Sequence, residues 1–462
     1  MRPRLQKEAF EGAAPGRKKP IFPQEAAMET KGYGNIPDTL FEAITFLAQA
    51  LPKRSVPTWL ELLFGAMLTP AGFVTEAWLA IKAKRHWSSY YKWLQQGKWS
   101  WVALGLQTAR LALRQETAKR CFVVIDDTVV FRSSRKAPES RIHHQHGNKT
   151  NRPGFVLGQN WVSLALAISD GWRTLAVPVL SRLSRNTGNS GKLVAAKTLL
   201  RVVRPVLQGR LATLLIDSWY MRKSLLFTAE RMGYMVIGQV RKDTALYLAP
   251  PSRTGKRGRP RKYGARMTPE AVALLPETWQ RLFLYSAWHT VHYRSAVVLA
   301  RFLDGRSVRA VWVRMEREDG SCSGQRLILC TDLSLSSTRI LLAYGKRWSI
   351  EDMFNQLKNR WGWKEAWQQS RQVLHRWSQI LATSYALPQL LALRGEKQMQ
   401  ALAALAPWRA RQPITAGRVR LGLSRIFRDF DIRGLWNPKS GIFGPQNSKQ
   451  CADLSPPLRK TA

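Results

Sequence analysis

The sequence predicts a mixed α/β protein, with one sheet of parallel and antiparallel strands and helical regions before and after it. Three observations predict this. From Pro37 to about Gln115 the apolar residues recur at helical spacing. From Cys121 onward, short β-branched runs such as "CFVVIDD", "LATLLID" and "YMVIGQVR" alternate with helical stretches. Hydrophobic residues make up 45% of 462 residues, enough for a sizeable core and against general disorder.

Residues 1–35 are basic and rich in Pro and Gly, and are expected to form a disordered tail. Residues 36–117 read as a small helical domain. "TWLELLFGAML", "GFVTEAWLAI" and "WVALGLQTARLAL" are its helices, joined by short polar or Pro/Gly turns. "KAKRHWSSYYKWL" adds a basic, aromatic face suited to DNA binding. The sheet region is expected over 118–241 and again over 331–371. "NWVSLALAISDG" and "WRTLAVPVLS" form a hairpin about an Asp-Gly turn, and "KLVAAKTLLRVVRPVL" and "KSLLFTAERMG" are helices. Between the two sheet segments, 242–330 reads as a β-rich insertion that opens with the basic loop "PPSRTGKRGRPRKYGARM". A helical C-terminal region, 372–435, and a tail, 436–462, complete the chain.

Charge narrows the function. Lys and Arg number 73 against 30 Asp and Glu, a formal charge of +43. Such an excess destabilises a compact state through self-repulsion, and a polyanionic partner offsets it. Nucleic acid is the first candidate and a membrane surface the second. The 19 Trp residues often stand beside basic residues, which suits stacking on bases, although Trp is commoner in cores. Four Cys without a short pairing motif exclude a disulfide framework or zinc knuckle and fit a reducing, cytosolic setting. "MRPRLQKEAF" lacks the apolar stretch of a signal peptide, and "ILATSYALPQLLAL" is too short to span a bilayer.

The segment "YGKRWSIEDMFNQLK", Tyr344–Lys358, carries a sharper signal. At about 100° per residue, Tyr344, Arg347, Glu351 and Lys358 share a stripe roughly 60° wide beside an apolar face of Ile350, Met353, Phe354, Leu357 and Trp361. An intrahelical salt-bridge face accounts for Arg347 and Glu351 but not for Tyr344 or Lys358. Elsewhere, two apolar strands run into carboxylates: Asp126 and Asp127 after "FVVI", and Asp217 after "LLI". Each alone is equally a turn cap. Together with Glu351, in so basic a chain, they suit metal-bridged phosphate chemistry. Two Mg²⁺ ions about 3.5–4 Å apart can clamp the attacking and leaving oxygens of a phosphoryl displacement.

The four stripe residues reproduce the pattern Y-x2-R-x3-E-x6-K, which resembles the signature of bacterial DDE transposases of the insertion-sequence-four type. "IDDT" and "DSWYMRKSL" resemble that family's first- and second-acid motifs. The resemblance covers roughly residues 40–400. It implies an RNase H-like core interrupted by a β-rich insertion just before the Glu-bearing helix. It implies that Asp127, Asp217 and Glu351 are catalytic and ligate two Mg²⁺ ions, with Mn²⁺ an accepted substitute. Asp127 is preferred because the family's first acid directly precedes Thr; strand alternation lets only one of the pair face the metals, and Asp126 is its neighbour. Tyr344, Arg347 and Lys358 would contact DNA phosphates, and Trp348 would touch a base at the cleaved end or else belong to the core. The implied reaction is cleavage at transposon ends and joining of the 3′-OH ends to target DNA. The implied partners are double-stranded DNA, as terminal inverted repeats and target, and a second copy in a homodimer or larger synaptic complex. The implied setting is the bacterial cytoplasm, on the nucleoid. The competing classes are a catalytically inactive, transposase-derived DNA-binding protein and an RNA-binding protein, although no RNA-recognition motif is present.

Other motifs carry less. Gly258-Arg259-Pro260 resembles the core of an AT-hook, so Arg259 and Arg261 are expected on DNA. His143, His144 and His146 lack further ligands at zinc spacing. No Gly-x4-Gly-Lys-Ser/Thr phosphate loop is present, and ATP use is not indicated. Arg241 and Lys242 end a strand and are expected near DNA.

Overall fold

Helical apolar spacing over the first third of the chain produces α1 (Asp38–Ala48), α2 (Val56–Leu68), α3 (Val74–Leu79), α4 (Trp87–Gln96) and α5 (Trp101–Leu113). The computed structural model describes residues 36, 38–144, 153–170, 173–185, 189–252, 260–394, 397–403, 412–447 and 450. α2 is apolar almost all round and is buried on nearly every side, as a central helix must be.

The sheet begins with β1 (Arg120–Phe131), followed by β2 (Arg141–His144), β3 (Phe155–Ser169) and β4 (Thr174–Leu183). β1 does not stop at its carboxylates, as the sequence suggests. It runs through Asp126 and Asp127 to Phe131, because β3 pairs along the whole stretch from Phe122 to Phe131. Ladder pairing overrides the poor strand propensity of Asp. α6 (Asn189–Val203), β5 (Leu211–Ile216), α7 (Lys223–Arg231) and β6 (Met235–Val240) complete the core. β3 is antiparallel to β1 and β4 antiparallel to β3, while β5 is parallel to β1 and β6 to β5. The spatial order β4-β3-β1-β5-β6 is a mixed sheet of RNase H-like topology. Both crossovers from β4 to β6 are helical, as parallel pairing requires.

The β-rich segment comprises β7 (Leu246–Tyr247), α8 (Pro269–Ala273), β8 (Thr278–Leu284), β9 (Ala287–Ala300), β10 (Arg306–Met315) and β11 (Arg326–Cys330). It does not build a sheet of its own. β11 pairs antiparallel with β6, and β10, β9 and β7 follow, so among the described residues the central sheet continues to eleven strands.

The expected seam helix is two helices. α9 (Ser337–Gly345) passes through a 3-10 turn, Lys346–Trp348, into α10 (Ser349–Arg360). α10 packs on β4, β1 and β3, whereas α6 packs on β3 and β4. α11 (Arg371–Arg394), α12 (Lys397–Ala403) and α13 (Ala416–Phe427) follow, then β12 (Trp436–Asn437) and β13 (Ile442–Phe443). This short hairpin lies in the stretch expected to be a tail. Its Phe443 is buried and packs against Phe41 and Phe64.

The N- and C-terminal helices form one assembly rather than two. Arg376 of α11 donates to the carbonyls of Leu94, Gly97 and Trp99 at 2.6–2.8 Å. Buried Glu61 of α2 accepts from Arg433 at 2.6 Å. Gly72 and Gly362 meet back to back, so a Cβ on either would lie within 3 Å of the other's backbone. Gly362 also holds a left-handed φ of 66°. That crossing ties the helical assembly to the segment that leaves α10. Among the described residues no helix is long and apolar enough to cross a membrane.

Candidate active site

Asp126 and Asp127 are adjacent on a strand, so their side chains leave opposite faces of the sheet. Their partners show which face is which. Asp126 Oδ2 accepts from Arg347 Nη1 at 3.1 Å, and Arg347 Nη2 donates to Glu351 Oε1 at 2.6 Å. Two residues along β1 on the same face, Thr128 Oγ1 accepts from Lys358 Nζ at 2.8 Å. The Arg347 guanidinium stands 5.9 Å from the Tyr344 ring centre. The seam therefore survives the break between α9 and α10. Tyr344, Arg347, Glu351 and Lys358 converge on the Asp126 face of β1.

Asp127 faces α6 instead. Lys192 Nζ donates to both its oxygens at 3.0 Å, Asn160 Nδ2 donates at 2.5 Å and the Tyr220 hydroxyl donates at 2.9 Å. The Lys192 ammonium also lies 4.0 Å from the centre of the Trp219 ring. Asp127 is thus saturated by donors of its own chain. It does not share the face of Glu351, contrary to the expectation placed on it.

Asp217 follows β5, whose parallel register with β1, Val124 opposite Leu215, sets it level with the acids midway along β1. Its Oδ1 accepts from the backbone N–H groups of Trp219 and Tyr220 at 3.0 and 3.1 Å, a turn that fixes one carboxylate oxygen. Burial pushes the Asp217 carboxyl up; the Tyr220 N–H and Arg347 oppose it, and the Asp127 charge adds to it. Asp126 is pushed up to about 7, first by burial and then by the Asp217 charge, against the pull of Arg347. Burial raises Tyr344 to about 12, with Arg347 opposing. Tyr220, fully buried, is raised well above the usual phenol range by burial and by the charges of Asp127 and Asp126. Crowded carboxylates that resist ionisation mark a place where chemistry is prepared at a cost to stability.

The donor set suits a hard divalent cation. Asp126, Asp217 and Glu351 offer only carboxylate oxygens, the ligands Mg²⁺ prefers. The repulsion between Asp126 and Asp217 is what such a charge would relieve. Arg347 bridges two of the three, and among the described residues no three acid, His or Cys side chains are gathered closely enough to hold an ion as they stand.

A family model described as DDE superfamily endonuclease matches residues 47–297, more than half of the chain. The chain belongs to that family. Membership implies a nuclease with DNA as its substrate and divalent metals as its usual cofactor. The matched span contains Asp126, Asp127 and Asp217 and ends before α10, so Glu351 rests on its own geometry. No curated protein shows significant similarity to the chain.

The remaining expected residues divide. Trp348 is 52% exposed and meets Tyr285 edge-on at 6.2 Å, so it is not a core residue. Arg261 is exposed in the insertion, while Arg259 lies outside the described residues. His143 and His144 sit on β2 and His146 lies outside the described residues. Sequence reasoning missed Lys192, Asn160 and Tyr220. Only Tyr220 carries a signal, three residues after Asp217 and followed by a helix.

Proposed function

We propose that the chain is a DNA transposase of the insertion-sequence-four type, which cuts transposon ends and joins them to target DNA. Asp126, Asp217 and Glu351 are its metal ligands; Asp126 takes the place first given to Asp127. One observation carries the reading: a single guanidinium, Arg347, spans a strand acid and a helix acid, with a third acid beside them. That arrangement brings charge neutralisation and carboxylate ligands to one point, where a phosphate of high negative charge can be bound.

When bound, a pair of Mg²⁺ ions polarises the phosphoryl oxygens and lowers the pKa of the attacking water. The chain's own residues do the rest. Arg347 and Lys358 neutralise phosphate oxygens near the scissile bond, and the Tyr344 phenol, held protonated by burial, donates to one. In the first step a water oxygen bonds to phosphorus and the P–O3′ bond breaks. The cut strand then carries a 3′-OH on one side of the nick and a 5′-phosphate on the other, one water proton ending on the 3′ oxygen. In the second, that 3′-OH bonds to a target phosphorus and frees a target 3′-OH. The second step forms one phosphodiester for the one it breaks, so joining requires no nucleotide cofactor.

The domain plan follows the same reading. Residues 36–117 bind the ends, with Trp87 of α4 43% exposed beside Lys84 and Arg85. Residues 118–241 and 331–371 hold the chemistry, 242–330 is the insertion, with Arg259 and Arg261 on DNA, and Trp348 meets a base. Two ends must be held together, so a homodimer or larger complex is the working form. The test mixes the full chain with duplex DNA carrying the element's terminal repeats and Mg²⁺. The wild type nicks the ends, and Glu351→Gln loses at least about 10²-fold in rate while still binding. Binding without nicking by the wild type would make the chain an inactive DNA-binding descendant, and equal cutting by the variant would remove Glu351 from the site.

A further inference from the structure

Beyond Asp217 the sheet edge changes sign. β5 and β6 are parallel, so Ser218 and Arg241 follow them on the same edge, the carboxyl edge where open sheets place ligand crevices. β11 runs antiparallel to β6, with Leu327 opposite Val240, which brings Arg326 to the same edge. Two adjoining cavities open there, of about 470 and about 460 Å³, and Ser218, Val240 and Arg241 line both. The first also takes Arg222 and Lys223, the cap and first residue of the nine-residue α7. The second takes Lys242, Arg317 and Arg326.

The two cavities therefore form one cleft walled by six cations, with Asp243 the acid among its lining residues. Arg241 is paired with Asp243 and Lys223 with Asp304. Among the described residues no ion pair engages Arg222, Lys242, Arg317 or Arg326, and all four are exposed. Like charges crowd here without internal compensation, in a concave surface, with the positive end of a helix added to them. The seam cations reach the Asp126 face from the 3-10 turn (Arg347) and from α10 (Lys358), whereas these six line a cleft that starts at Ser218, the residue after Asp217.

We propose that this cleft is a second track for a DNA phosphodiester backbone, which carries the duplex out of the active site past Asp217, across the C-terminal end of β6 and onto the insertion. The proposal rests on Asp217 belonging to a DNA-cleaving site, but its test does not depend on cleavage. The insertion then serves a physical purpose, since β11 and the turn before it deliver Arg317 and Arg326 to the track. Backbone contacts of this kind hold position and register and carry no sequence preference.

The test measures binding of the full chain to a fluorescein-labelled duplex by anisotropy across a salt series, without divalent cation. A Lys242→Gln/Arg317→Gln/Arg326→Gln variant is compared with Lys119→Gln/Arg201→Gln/Arg231→Gln, which removes equal charge at exposed positions near the amino ends of β1, β5 and β6. Melting curves confirm that both are folded, and Lys242→Arg/Arg317→Lys/Arg326→Lys tests whether charge alone is needed. The slope of log K against log salt falls by about 0.9 for each lost phosphate contact. The cleft variant is expected to lose about 2–3 from that slope and the charge-preserving variant to regain it, while the control loses less than about one. Equal loss in the cleft and control variants would overturn the track. Absence of nicking by a wild type that keeps the cleft-dependent slope would overturn the nuclease reading and leave the track standing.

Discussion

The two faces of β1 carry neighbouring aspartates in opposite circumstances. Asp127, on the α6 face, receives four hydrogen bonds from Lys192, Asn160 and Tyr220. Asp126, on the α10 face, has one guanidinium and its neighbour's N–H, and burial, then the Asp217 charge, pushes its carboxyl up to about 7. One acid is satisfied by its own chain and the other is kept in need of positive charge. Composition and strand propensity cannot tell them apart, since only the helix docked on each face does. The lesson is that a saturated carboxylate supports a site and an under-compensated one serves it.

Breaking the satisfied side has the largest expected effect on stability. Lys192→Met removes the charge that balances Asp127 in a largely buried site and leaves only the neutral Asn160 and Tyr220 donors, and breaking such a pair costs about 3–5 kcal/mol. Urea unfolding measures it, and adding Asp127→Asn in the same chain should recover most of the loss. If Lys192→Met leaves the midpoint unchanged, Asp127 is not the structural member of the pair.

A smaller effect, still on the supporting side, comes from His375 in α11. Its Nε2 accepts from the Leu183 N–H and its other ring nitrogen meets the Arg371 carbonyl, so the ring is held neutral under β4. Burial lowers its pKa to about 4. A group depressed in the folded state contributes stability above its unfolded pKa, near 6.5, and loses it as pH falls towards 4. The loss amounts to about 3 kcal/mol. A pH series of urea midpoints should show this slope in the wild type and a flatter one in His375→Gln.

The smallest stability effect belongs to the serving side. Glu351 contributes an i,i+4 pair on a partly exposed helix face, so Glu351→Gln should cost about 0.3–0.5 kcal/mol. A loss of several kcal/mol in calorimetry would make Glu351 a structural residue and blur the contrast between the faces.

Much of this was legible in the sequence. The β-branched runs placed the core strands in order, and the four-residue spacing of the seam found Glu351 and its neighbours, because both depend on local periodicity. What escaped depends on long-range packing. Alternation says that Asp126 and Asp127 diverge, but not which helix lies over which face. β1 continues through two acids because β3 is there to pair with it. Nothing in "SGKL" announces that Lys192 crosses to Asp127. The merging of the terminal helices is written in single groups, such as Arg376 on the Leu94 carbonyl or Trp377 on that of Gly72, and these leave no periodic trace. The hairpin at Phe443 is two residues per strand, too short to raise a pattern.

The most direct measurement compares Asp126→Asn with Asp127→Asn in Mg²⁺-dependent nicking, each checked for folding by urea unfolding. Asp126→Asn should lose at least about 10²-fold in nicking rate with stability within about 1 kcal/mol of wild type. Asp127→Asn should keep nicking within about tenfold while unfolding at lower urea. The reverse pattern, with Asp127→Asn inactive but stable and Asp126→Asn active, would contradict the assignment of the two faces.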